Sequence, residues 1–98
     1  MSAYLPIGSI VTLDGEKSGI YMIAGYLPKE EDGNVSDYFG VPYPLGLLRP
    51  DVFTCFDRNE ITELVYRGYS DGACEKLLDG LNQFEKNLLD AFERRVGS

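Results

Sequence analysis

Ninety-eight residues with a 44% hydrophobic and 26% charged composition fit one compact domain, because a chain this short buries roughly 60 to 70% of its unfolded surface and cannot close two separate cores. A net charge of −7, with nine Lys and Arg residues scattered singly except at Arg94-Arg95, excludes a phosphate-tracking groove, which needs clustered cations. The chain has no histidine, which removes Ser-His-Asp, Cys-His and histidine-metal sites together.

No apolar run approaches the ~20 residues that span a bilayer, and an acidic surface is repelled by anionic head groups, so neither nucleic acid nor membrane insertion is expected. Met1 to Leu5 lack a basic region and an apolar core of signal-peptide length, and the expected location is the cytoplasm. Cys55 and Cys74, without a secretory signal, read as reduced thiols. Neither stands beside a basic cluster that would activate it.

In chain order, Ile7 to Leu13 alternate as a first strand, and Asp14-Gly15-Glu16-Lys17-Ser18-Gly19 supplies a turn. Ile20 to Leu27 is almost continuously apolar and reads as a central strand covered on both faces, ended by Pro28. Lys29-Glu30-Glu31-Asp32-Gly33-Asn34 is a charged hairpin tip; it holds oxygen ligands but lacks the periodicity and closing glutamate of a calcium loop. Val35 to Tyr43 alternate as a third strand, in which Pro42, having no N–H, must lie at an edge or at the strand's end.

A loop punctuated by Pro and Gly from Pro44 to Pro50 leads to a fourth strand over Val52 to Phe56. Asp57-Arg58-Asn59-Glu60 reads as one tight or helical turn, with Asp57 as an Asx cap, and Ile61 to Tyr69 resumes extended character. From Ser70 or Asp71 the period changes: Leu77, Leu81, Phe84, Leu88 and Phe92 recur at steps of four, three, four and four, the signature of a helix to about Val96. Asp71 and Glu75 in its first turn and Arg94-Arg95 in its last complement the helix dipole.

The expected class is therefore α+β: a small, strongly bent antiparallel sheet or SH3-like barrel of about five strands over residues 5–69, followed by a long C-terminal amphipathic helix over residues 70–96, in a single domain. The helix's apolar sector spans roughly 160 degrees, wider than the ~100 degrees one covered face requires. Such a helix either touches its own sheet and a partner, or lies in a sheet curved enough to embrace it. Gly80, beside Ala73 and Ala91 at one border of that sector, predicts a close backbone approach.

No catalytic, cofactor-binding or metal-binding constellation emerges. Glu60 and Glu63 read as ordinary surface acids, Gly40 and Gly46 build no phosphate loop, and the chain reads as a non-enzyme. Its aromatic residues point elsewhere, because tyrosines combine apolar area with a hydroxyl that tolerates water. Tyr38 alternates away from Phe39 and Val41, and Tyr43-Pro44-Leu45 enters a loop, so Tyr38, Tyr43 and Leu45 form one candidate interaction patch, with core packing as the alternative. Leu77, Leu81, Phe84, Leu88 and Phe92 along the helix form the other.

Leu5-Pro6-Ile7-Gly8-Ser9-Ile10-Val11, then Tyr21 to Tyr26, then Asp37 to Gly46 with its Tyr43-Pro44-Leu45-Gly46 loop, then Ile61 to Tyr69 together resemble the bacterial domain of unknown function 4176 family, over about residues 4 to 75. The resemblance implies a small cytosolic protein of Gram-positive bacteria, from loci of the type VII secretion system beside toxins with the LXG targeting domain. It also leads one to expect a cysteine after Gly40, where this chain has Val41. The function expected from residues and resemblance together is an adaptor or chaperone-like partner in effector export, with a protein partner and a homodimer both compatible with the pattern. Two alternatives stand beside it. One is an immunity protein, whose acidity would steer it to a basic toxin; the other is a small-barrel module that binds peptides through Tyr38, Tyr43 and Tyr66.

Overall fold

A computed structural model describes residues 3–83. Five antiparallel strands form one sheet: β1 (Ile10–Leu13), β2 (Gly19–Tyr26), β3 (Tyr38–Pro42), β4 (Thr54–Phe56) and β5 (Ile61–Tyr66), in the order β4-β3-β2-β1-β5. Residues 72–83 are helical and form α1. The α+β class with a helix after the sheet is what the hydrophobic periods predict; the sheet is not a closed barrel, since β4 and β5 stand at its two ends. They are nevertheless joined by a single 3-10 turn, Arg58–Glu60. So short a connection between opposite edges requires the sheet to bend strongly over one face.

The strands are shorter than the alternation suggests, each for a local reason. Gly8 has φ of 90° and Ser9 N–H donates to the Pro6 carbonyl at 3.2 Å, so residues 4–9 form a folded lead-in to β1. Between β2 and β3 the chain leaves the ladder at Leu27, with φ of 53°, and builds an arm closed by the Lys29–Val35 bridge. Pro42 ends β3, beyond the residues that pair with β4, which fits its missing donor. Asp71 caps α1 by accepting the Cys74 N–H at 2.9 Å, an arrangement worth about 1 kcal/mol.

The core lies on the face over which the sheet bends. Tyr4, Leu5, Val11, Leu13, Ile23, Tyr38, Phe56, Leu78 and Leu81 form one buried cluster. Tyr38 sits at its centre, with ring centroids 5.5 Å from both Tyr4 and Phe56 and 5.8 Å from Tyr26. Its hydroxyl accepts the Leu5 N–H at 2.8 Å, and the Tyr26 hydroxyl donates to the Leu5 carbonyl, so two phenols pin the lead-in onto the sheet. Burial pushes both hydroxyls up to about 12.

Gly68 closes the far side. A Cβ there would lie 2.4 Å from the Ile7 carbonyl oxygen, and its N–H donates to Ser9 Oγ at 2.9 Å. Backbone meets backbone at that point, and only glycine leaves room.

Several expectations change against this architecture. β2 is not buried on both faces: Ile23 is buried inside while Ile20 is exposed. The helix presents Cys74, Leu78 and Leu81 to the core, a stripe at steps of four and three, whereas Leu77, one residue aside, stays exposed. The close approach predicted at Gly80 is absent, because a Cβ there meets nothing within 4 Å and both Gly80 and Ala73 are exposed. That border of the helix points away from the sheet. Both cysteines are free thiols.

Candidate protein-interaction face

The residues singled out for interaction are separated by the fold. Tyr38 is fully buried; the period-2 pattern sets it opposite Phe39 and Val41, but the covered side is the Tyr38 side. Leu81 is likewise buried against its own sheet, because the α1 stripe that meets the core includes it. Tyr43 and Leu45 are exposed as predicted, and so is Leu77. Phe84, Leu88 and Phe92 lie outside the described residues. Tyr66, named for peptide binding, is exposed on the edge strand β5 and pairs with Ile10 of β1.

What the sequence did not single out is the outer face of β3. Phe39 and Cys55 are cross-strand partners on that face, and Phe53 packs edge-on against Phe39 with centroids 5.5 Å apart. Phe39 packs against Gly25: a Cβ on Gly25 would stand 2.0 Å from the Phe39 ring. The β2/β3 register shifts between Ile23 and Gly25, so one strand bulges where the ring needs space. A glycine beside an aromatic across the register was the available signal, and its meaning depends on that pairing.

The floor so made opens into an apolar groove of about 220 Å³ between Pro28, Phe39, Val41, Leu47, Pro50 and Phe53. Pro28 and Phe53 also wall a larger depression of about 500 Å³, whose other sides are Cys55 and the tip residues Lys29, Glu30, Glu31 and Asp32. The two cavities therefore adjoin. At the opposite end Val41 is shared with a third hollow lined by Met22, Tyr43 and Pro44. The result is a trough across the outer face, apolar along most of its length and acidic at one end.

The loop from Tyr43 to Phe53 borders this trough and exposes several large apolar side chains beside the charged Arg49 and Asp51. Tyr43 is 50% exposed, Leu45 66%, Leu47 57%, Leu48 65% and Phe53 44%. Single exposed leucines need no explanation, but here five large apolar side chains stand exposed within eleven residues of one loop. The peptide between Tyr43 and Pro44 is cis, and Gly46 has φ of 75° while its N–H donates to the Pro42 carbonyl at 2.7 Å. The loop is thus held at its root by its own backbone.

The sequence model for a domain of unknown function, DUF4176, matches residues 4–77. The chain belongs to the DUF4176 family. That match covers the lead-in, all five strands, the trough and the apolar loop, and ends inside α1. No curated protein and no solved structure matches the chain.

Outside the trough, several polar side chains of the DUF4176 region tie separate elements together. Arg58 Nε pairs with Asp37 Oδ2 at 3.2 Å and its guanidinium sits 4.5 Å over the Tyr4 ring. Lys17 Nζ donates to the Cys55 carbonyl at 2.8 Å and lies 3.0 Å from Glu60 Oε1, satisfying an outward carbonyl of edge strand β4. Burial, and after it the Glu30 carboxylate, push the Cys55 thiol up, which keeps it protonated and unreactive. Among the described residues no group of acids and thiols is arranged to hold a metal ion, and no helix is long and apolar enough to cross a membrane.

Proposed function

We propose that the chain is a non-enzymatic, cytoplasmic adaptor or chaperone-like module that supports type VII secretion of LXG-type effectors by binding a protein partner. The observation that carries this reading is the run of exposed apolar side chains at Tyr43, Leu45, Leu47, Leu48 and Phe53 beside the outer trough. A surface of that kind is covered by protein in working assemblies, because leaving it in water forfeits roughly 25 cal/mol for every Å² of apolar area. The resemblance to a family from secretion loci supplies the partner class. Leu77, exposed beside the buried Leu78, is a second contact point on the same molecule.

Co-expression with the products of adjacent genes, followed by size-exclusion chromatography, tests the reading. We expect co-elution with an effector or its targeting factor, and loss of it in Leu45→Ser/Leu48→Ser. Circular dichroism and thermal melting of that variant should be unchanged within ~0.5 kcal/mol, since both side chains are exposed. Elution as a lone monomer with every neighbour would refute it.

An immunity role is the second reading, favoured by the net charge of −7 and the exposed acidic tip. It predicts that cells making the adjacent toxin survive only when this chain is present. An adaptor gives no such protection.

A further inference from the structure

The two adjoining cavities differ in chemistry, and that difference describes an occupant. The groove over Phe39 and Phe53 is walled by apolar residues only, while the depression sharing Pro28 and Phe53 carries Glu30, Glu31 and Asp32 against a single base, Lys29. Two of these exposed acids are hydrogen-bonded within the tip. Asp32 accepts the Asn34 N–H at 3.0 Å and the Asn34 side-chain amide at 2.9 Å, and Glu30 accepts Ser36 Oγ at 3.3 Å. The backbone of the tip is closed by Glu30 N–H to the Asn34 carbonyl at 2.8 Å and Gly33 N–H to the Glu30 carbonyl at 2.9 Å.

The ion pairs Lys17 with Glu60 and Arg58 with Asp37 do not engage the tip, so its three acids outnumber the one base, Lys29, that lines the depression with them. The field of Glu30 reaches the cavity floor, where it helps keep the Cys55 thiol protonated. A second copy of this chain is a poor occupant, since it brings its own net charge of −7 and like charges across an interface oppose association.

We infer that the trough binds a partner segment in which large apolar residues directly adjoin Lys or Arg, the apolar side chains lying over Phe39 and Phe53 and the cations at Glu30, Glu31 and Asp32. Adjacent residues of an extended segment are about 3.3 Å apart, so one short stretch reaches from one cavity into the other across their common wall. The inference rests on the protein-interaction reading and adds the chemistry of the bound segment. The acidic end decides which end of that segment carries the cation, since a cation placed over the apolar wall leaves the acids unpaired.

The test uses the full chain, labelled with nitrogen-15, and two capped peptides that differ only in charge, acetyl-Leu-Phe-Leu-Lys-Lys-amide and acetyl-Leu-Phe-Leu-Glu-Glu-amide. The lysine peptide should move the amide signals of Lys29 to Asp32, Phe53 and Cys55, and bind at least tenfold more tightly than the glutamate peptide. Glu30→Lys combined with Asp32→Lys should invert that preference while keeping a native amide spectrum outside residues 29–36. Equal binding of the two peptides, or shifts confined to other residues, would overturn the inference. A protein partner captured through Leu45 and Leu48, unaffected by the Glu30→Lys/Asp32→Lys change, would leave the adaptor reading standing and the charged trough refuted.

Discussion

Tyr38 and Phe39 are neighbours in β3, and the two faces they serve are built on different principles. Tyr38 is enclosed by Tyr4, Tyr26 and Phe56, and its hydroxyl is engaged by a backbone N–H from the lead-in. Phe39 touches one aromatic partner and a glycine, then faces a groove. The inner face is sealed by segments distant in sequence, residues 4–6 and Leu78 and Leu81, whereas the outer face is bordered by a local loop that leaves it partly open. Most of the buried core belongs to the first face, and the second is where we propose that a partner binds.

That contrast can be broken most severely at the phenylalanines. Phe56→Ala removes a fully buried ring and should cost about 3 to 5 kcal/mol in urea unfolding. Phe53→Ala, at 44% exposure, should cost about 1 kcal/mol while weakening partner association strongly. Equal losses at the two sites would erase the distinction.

Gly25→Ala tests how far the outer face depends on its floor. The new methyl would stand 2.0 Å from the Phe39 ring, which must swing away from Phe53, for a loss of about 1 to 3 kcal/mol. Phe39→Leu in the same background should recover much of it, measured by the urea midpoint, because the smaller side chain vacates the space above residue 25.

Alkali sharpens the comparison from the inner side. Burial raises Tyr38 from 10.0 to about 12, so the unfolded chain loses that proton first. Its contribution is complete below pH 10 and declines as pH rises towards 12, by about 1 kcal/mol at pH 11. Tyr26 shifts in the same direction. Tyr38→Phe should flatten the fall in stability between those limits, although it also leaves the Leu5 N–H unpaired at a cost of about 1 to 3 kcal/mol.

The sheet was largely legible before its geometry was seen. The pairing of β1 with β2 and of β2 with β3 follows from the turns at Asp14-Gly15 and the acidic tip, whereas the Asp57 to Glu60 turn joins β4 and β5 at opposite edges of the sheet; α1 announces itself by the change of period after Asp71. The interaction site was legible in part. Tyr43 and Leu45 were named from loop chemistry, while Phe39, Leu47, Leu48 and Phe53 were passed over and Tyr38 was put on the wrong side. Alternation reports which residues share a face and carries no sign for which face is covered.

The residues alone therefore determined the class of the fold, the antiparallel pairing, the start of the helix near Asp71, the acidity and the family. Periodicity, turn chemistry and capping act over a few residues and are written locally. Only the tertiary structure decided which side of β3 became core, that Leu77 stays in solvent while Leu78 and Leu81 do not, and that an acidic tip adjoins an apolar groove. Those outcomes depend on which distant segments reach a surface first and fill it, and such contacts, Leu5 on Tyr38 or Pro28 beside Phe53, leave no trace in the order of neighbouring residues.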